Sequence, residues 1–279
     1  MSNIREALCT AKRIVVKVGT STLTYDTGKV NFTRMDKLTR VLSDLVNQNK
    51  EVVLVTSGAI GVGTGKLKLK EKPKTIREKQ AVAAVGQCEL MHIYSKFFAE
   101  YGHIVGQILL TCDVVENSYS RQNVINTFET LLERGIVPIV NENDSVSVDE
   151  IECGDKKIFG ENDTLSAIVA GLIKADLLII LSDIDGFYDS DPKKNAESKM
   201  ISTVYEITPE IEKCAGGVGS KRSTGGMVTK LSAAKIATAS GVDMILASGS
   251  NPEIIMDIIS GKEIGTIFTT KCIKSDYLD

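Results

Sequence analysis

The chain has 279 residues, 43% of them hydrophobic, enough to bury one large core or two lobes. A net charge of −3 and an isoelectric point near 5.6 leave no broad basic field, which argues against nucleic-acid binding. Six cysteines without a CxxC pair and only two histidines, His92 and His103, argue against a zinc site and a disulfide framework.

The first apolar run, RIVVKV (13–18), reads as a buried strand ending at Gly19. A helical stripe of Met35, Leu38, Val41, Leu42, Leu45 and Val46 comes next, then a second strand, EVVLV (51–55). Residues 66–79 mix Lys with Glu around Pro73 and read as a solvated excursion. Residues 80–101 are helical, 105–111 form a strand, and TFETLLERG (127–135) closes a helix at Gly135. Further strands are IVPIV (136–140), LLIIL (177–181) and DMILA (243–247). Between them, residues 145–159 alternate polar and apolar around a Gly-Asp turn, the pattern of a β-hairpin projecting from the sheet.

Strands this apolar are buried on both faces, as in a parallel sheet covered by helices, so the class is α/β. No run approaches the ~20 apolar residues of a membrane span. The N-terminus lacks the apolar core of a signal peptide, and the protein is expected to be cytoplasmic. His92, in a helical stretch, and His103, beside a turn glycine, are expected to be structural.

Each of five strands gives way to small, polar or acidic residues: GTST after 13–18, TSGAIG after 51–55, NENDS after 136–140, SDIDG after 177–181 and SGS after 243–247. Any strand-to-helix turn uses such residues. Their recurrence at one sheet edge, however, marks the place where open parallel sheets bind ligands. Glycine-rich turns feeding helix N-termini suit an anion, because backbone N–H groups and the helix dipole face it. The glycines of 58–65 match neither the Walker pattern nor GxGxxG.

Two lysines stand out. Lys17 interrupts a buried strand, where a charge must be paired or must face a polar cleft. Lys230 lies just past Gly225-Gly226, on the first turns of a helix, where the dipole disfavours a cation unless an anion sits beside it.

The segments VKVGTS, VTSGAIGVG, AVGQ, GQILLT, VPIVNEND, GENDTLSA, SDIDGFYDSDP and STGGMVTK occur in this order. Together they resemble the amino acid kinase family, in particular its branch that phosphorylates L-glutamate. The resemblance spans roughly residues 12 to 270. It implies a three-layer α/β/α sandwich with a mostly parallel central sheet. The acceptor would sit on an N-terminal lobe, about 1–172, and ATP on a C-terminal lobe, about 173–279. The implied reaction moves a phosphoryl group from ATP, with Mg²⁺, to the γ-carboxylate of L-glutamate, the first step of proline synthesis.

Carried over by position, Lys17 and Lys230 would contact the transferring phosphoryl and Asp163 would orient them. Ser57, Asp144 and Asn162 would hold glutamate, with Gly58 and Asn141 beside them. Gly19, Ser182, Asp183 and the turn Thr224, Gly225, Gly226, Met227 to Lys230 would hold the nucleotide. No protein-held metal site is implied. The resemblance also implies a homo-oligomer, L-proline as feedback inhibitor and association with glutamate-5-semialdehyde dehydrogenase.

Glu161 replaces the family's usual Asp, and Ser182 its frequent Thr. The PUA domain that many members carry is expected to be absent. Two other readings stay open: another acceptor, such as aspartate, N-acetylglutamate, carbamate, UMP or a phosphonate, and a non-catalytic sensor on the same fold.

Overall fold

The computed structural model describes residues 4–25, 29–111, 114, 116–146, 152–153, 156–157, 162–192, 194–195, 197–215 and 226–270. Strands β1 (Arg13–Val18), β2 (Glu51–Thr56), β3 (Val105–Leu110), β4 (Val137–Glu142), β7 (Leu177–Ser182) and β11 (Asp243–Ser248) match the apolar runs. With β10 (Thr203–Val204) and β12 (Thr266–Phe268) they form one eight-stranded sheet in the order β10-β12-β11-β7-β1-β2-β4-β3. Every pairing in it is parallel except β11 with β12.

Helices cover both faces. Ile14, Val16 and Val18 of β1 pack into one core with α2 (Phe32–Asn47), α4 (Ile76–Glu100) and α9 (Ile254–Ile259). Val15 packs into the other core with α5 (Ser118–Glu133), α6 (Asn162–Leu172) and α8 (Met227–Ala239). This is the three-layer sandwich that the family resemblance implies. Strand side chains alternate between faces, so Lys17 shares the face of Val15 and points toward the layer of α6 and α8. The short helices α1 (Thr20–Leu23), α3 (Ala59–Lys66) and α7 (Pro209–Cys214) complete the chain.

The expected stripe of α2 is buried at Met35, Leu38, Val41, Leu42 and Leu45, behind an Asn31 cap that accepts from the Arg34 N–H. Thr75 and Glu78 form a capping box at the start of α4. The charged stretch 66–79 is exposed apart from Pro73, but Lys66 closes α3 and Ile76 opens α4, so the excursion proper is only 67–75. The helix expected to close at Gly135 begins at Ser118, capped by Asn117. The hairpin expected over 145–159 is represented by β5 (Glu152–Cys153) and β6 (Lys156–Lys157), an antiparallel pair outside the main sheet. Its Gly-Asp turn lies outside the described residues. A second small pair joins β8 (Phe187–Tyr188) to β9 (Met200–Ile201).

The glycines after β2 do more than offer backbone N–H groups to an anion. Gly58 caps α3 at φ +98°, a conformation that strains any other residue. Gly63 instead faces α4: a Cβ there would lie 2.1 Å from the Val82 carbonyl oxygen. Its counterpart Gly86 leaves no room either, since a Cβ would lie 1.7 Å from the Ala59 carbonyl oxygen. The glycines allow α3 and α4 to touch backbone to backbone, which fixes the turn after β2.

Candidate active site

β1 lies between β2 and β7, and the chain proceeds from β1 to strands on one side before it returns to the other. This switch point opens a crevice at the carboxyl ends of the strands. A cleft of about 520 Å³ occupies it. Of the candidate residues read from the sequence, Lys17, Gly19, Ser57, Gly58, Asn141, Asp144, Asn162, Asp163, Ser182, Asp183 and Lys230 line this cleft. Gly226 and Met227 start α8 without lining it, and Met227 packs instead against the second core. Thr224 and Gly225 lie outside the described residues.

At the cleft's centre Asp163 joins the two lysines. Lys17 Nζ lies 2.5 Å from Asp163 Oδ1 and Lys230 Nζ 3.2 Å from Oδ2. All three side chains are buried, Asp163 to 1% exposure. Asp163 sits in the first turn of α6, where the dipole favours a carboxylate. Burial alone would raise its pKa, but the charges of Lys17 and Lys230 outweigh burial and hold the carboxyl below the ordinary carboxylate range. Two cations share one anion, so the cluster carries a surplus positive charge in a place shielded from water. Such a cluster is a poor device for stability, because desolvation opposes it. It is a good device for meeting a polyanion. Lys230 lies on the buried face of α8 beside Leu231, Ala234 and Ala237.

A second group is neutral. Asn162 Nδ2 lies within hydrogen-bond distance of Ser57 Oγ (2.8 Å), the Thr56 carbonyl (3.1 Å) and Asn141 Oδ1 (3.1 Å). This ties the ends of β2 and β4 to the start of α6. Asp144 stands at the rim of this side. Burial, with the negative charge of Glu142 nearby, pushes its carboxyl up to about 6. On the other side Ser182 Oγ donates to Asp183 Oδ1 at 2.9 Å.

Thr20, Ser21, Ile60, Gly61 and Glu142 line the cleft as well and were not singled out. The strand-end position of GTST, TSGAIG and NENDS is the available signal for all five. No group of three or more His, Cys, Asp or Glu suited to a metal occurs among the described residues.

A model of the amino acid kinase family matches residues 12–248. A protein of Clostridium perfringens (strain 13 / Type A) named glutamate 5-kinase is 68% identical over 268 residues, 96% of this chain and 99% of that one. A glutamate 5-kinase of Listeria monocytogenes serovar 1/2a is 60% identical over 268 residues, 96% of each chain. Among solved structures, UMP kinase from Bacillus anthracis is similar with a TM-score of 0.61 at 16% identity, over 94% of this chain and 97% of its own. Isopentenyl phosphate kinase from T. acidophilum has a TM-score of 0.59 at 19% identity, over 92% of this chain and 100% of its own. At these identities the two structures speak for the fold alone.

Proposed function

The chain belongs to the amino acid kinase family, and from that premise we propose that it transfers the γ-phosphoryl of ATP to the γ-carboxylate of L-glutamate. The products are γ-glutamyl phosphate and ADP, and the reaction is the first step of L-proline biosynthesis. The observation that carries the chemistry is the buried Lys17–Asp163–Lys230 cluster at the centre of the cleft. The acceptor is inferred from the two glutamate 5-kinases, which align with this chain over nearly their whole length.

A γ-carboxylate is already ionised at pH 7, so the nucleophile needs no general base. This agrees with a cleft that no histidine lines. The barrier is electrostatic: an anion approaches a phosphoryl group that already carries negative charge. Lys17 and Lys230 supply fixed positive charge where charge spreads in the transition state, and Asp163 aims both ammonium groups. Ser57, Asn162 and Asp144 hold glutamate, Asp144 as the anion opposite its α-ammonium. Gly58 shapes that pocket and Asn141 braces it.

Gly19, Ser182, Asp183 and the turn from Thr224 into α8 take the nucleotide, so residues up to about 172 form an acceptor lobe and the rest an ATP lobe. Mg²⁺ needs only one or two carboxylates when phosphates and water complete its shell. It would arrive on the ATP phosphates, with Asp183 the carboxylate on that side, and would neutralise phosphate charge. L-Proline as feedback inhibitor, a homo-oligomeric state and association with glutamate-5-semialdehyde dehydrogenase belong to the same reading and rest on family likeness. Among the described residues no helix is long and apolar enough to cross a membrane.

Acyl-phosphate trapping tests the proposal. The protein is incubated with ATP, Mg²⁺ and hydroxylamine, and with L-glutamate, L-aspartate or N-acetyl-L-glutamate in separate reactions. Hydroxamate with L-glutamate alone is the expected result. No hydroxamate with any of them, from protein that binds ATP, would overturn it.

A further inference from the structure

The segment AVGQ (84–87) contributes no residue to the lining of the main cleft, yet its last residue reaches the acceptor side through a neighbour. Gln87 projects from α4 and is buried to 8% exposure. Its Oε1 accepts from Asn141 Nδ2 at 2.8 Å, a fully buried contact. Asn141 Oδ1 in turn accepts from Asn162 Nδ2, which also reaches Ser57 Oγ. The result is a chain of amides, Gln87 to Asn141 to Asn162 to Ser57, that runs from a helix behind the sheet to the cleft.

The polarity of this chain is anchored at the Thr56 carbonyl, which can only accept and so fixes Asn162 Nδ2, and Gln87 Oε1 closes the series at the other end. With Gln87 accepting, Asn141 must present Nδ2 backward and Oδ1 forward. Asn162 correspondingly turns its own Nδ2 toward Asn141, Ser57 and the Thr56 carbonyl. An amide flipped at Asn141 would set two N–H groups against each other and break the series. One turn before Gln87, Ala83 packs in the core of α4, and two turns after it Tyr94 bonds Thr56 Oγ1 at 2.9 Å, beside Ser57. Gly86, next to Gln87, locks α4 onto α3. A single rigid helix therefore spaces the ends of β2 and β4. Gln87 Nε2, by contrast, is buried and has no hydrogen-bond partner among the described residues. A buried unpaired N–H is unfavourable, so the glutamine carries a local cost beside the bond its Oε1 makes to Asn141.

We infer that Gln87 is a positioning residue for the acceptor, holding the Asn141 side chain in place and, through it, the arrangement that Asn162 and Ser57 offer to L-glutamate. This inference rests on the proposed acceptor. The test is steady-state kinetics of Gln87→Met and Gln87→Glu, each alone and in an Asn141→Ala background, with thermal melting as a check on folding. Gln87→Met removes the acceptor atom at nearly constant volume and should raise KM for L-glutamate about tenfold, while KM for ATP stays within about threefold. Gln87→Glu keeps an oxygen for Asn141 in either protonation state and should stay within about threefold of the parent. In the Asn141→Ala background Gln87→Met should add nothing, because its partner is gone.

An unchanged KM for L-glutamate in Gln87→Met would overturn the inference. So would equal rises in both KM values, or an effect that adds fully to that of Asn141→Ala. Failure of the parent protein to turn over L-glutamate would instead overturn the acceptor assignment itself, and this inference with it.

Discussion

Asn162 and Asp163 are neighbours at the start of one helix, yet they organise their surroundings by opposite means. Around Asn162 the cleft is held by neutral amides, a hydroxyl and a backbone carbonyl at 2.8–3.1 Å. Around Asp163 it is held by full charges, two buried lysines sharing one buried carboxylate. Neutral hydrogen bonds are directional and discriminate shape and polarity. Charges in a water-poor site act over distance and stabilise charge that develops during reaction. In the proposed reaction one helix turn would divide the labour: the first residue would serve recognition of the acceptor and the second would serve transfer.

The largest break in this comparison should come from Asp163→Ala. Two buried lysines would lose their shared counter-ion, and removing one partner of a buried pair costs about 3–5 kcal/mol. A marked fall in melting temperature should accompany a kcat lowered ~10²–10³-fold, the scale of losing a preorganised electrostatic group. Asn162→Ala should act on the other side. Loss of its hydrogen bonds to Ser57 and Asn141, at about 1–3 kcal/mol for unsatisfied partners, should raise KM for L-glutamate about 10- to 100-fold with a smaller effect on kcat.

Gly86→Ala probes the frame beneath both sides. The added Cβ has no space beside the Ala59 carbonyl. Overpacking of about 1–3 kcal/mol should appear in chemical denaturation, with KM for L-glutamate rising more than KM for ATP, since α3 and α4 border the acceptor side.

The smallest effect is in pH. Asp144, raised to about 6, is anionic above that pH and protonated below it. If it pairs with the α-ammonium of glutamate, kcat/KM for L-glutamate should fall below about pH 6, by at most about tenfold per unit. Asp144→Asn should have a lower kcat/KM that no longer varies across that range.

Much of this frame is legible in the residues themselves. Parallel strands buried on both faces announce themselves as apolar runs, and Lys17 is conspicuous because a charge in such a strand demands a reason. Short strands near the sheet end are not legible: Thr266–Phe268 has three residues and sits between β11, its antiparallel partner, and the two-residue edge strand β10. The glycines show a different limit. A run such as 58–65 reads the same whether the backbone meets an anion or another helix, and only the position of Gly86 shows that Gly63 meets a helix. The amide chain is hidden for a similar reason. Asn162 lies 105 residues from Ser57, and Gln87 lies 54 from Asn141. Each residue alone is an ordinary polar side chain on a helix or at a strand end. Their meaning arises only when the sheet brings β2 and β4 side by side.

The most direct measurement is the steady-state kinetics of Lys230→Ala with L-glutamate and ATP, beside Asn162→Ala. The expected result is a kcat lowered ~10²–10³-fold with KM for L-glutamate within about threefold of the parent, the reverse of the Asn162→Ala pattern. A Lys230→Ala enzyme with near-parental kcat and a raised KM for L-glutamate would contradict the division between a charged transfer side and a neutral recognition side.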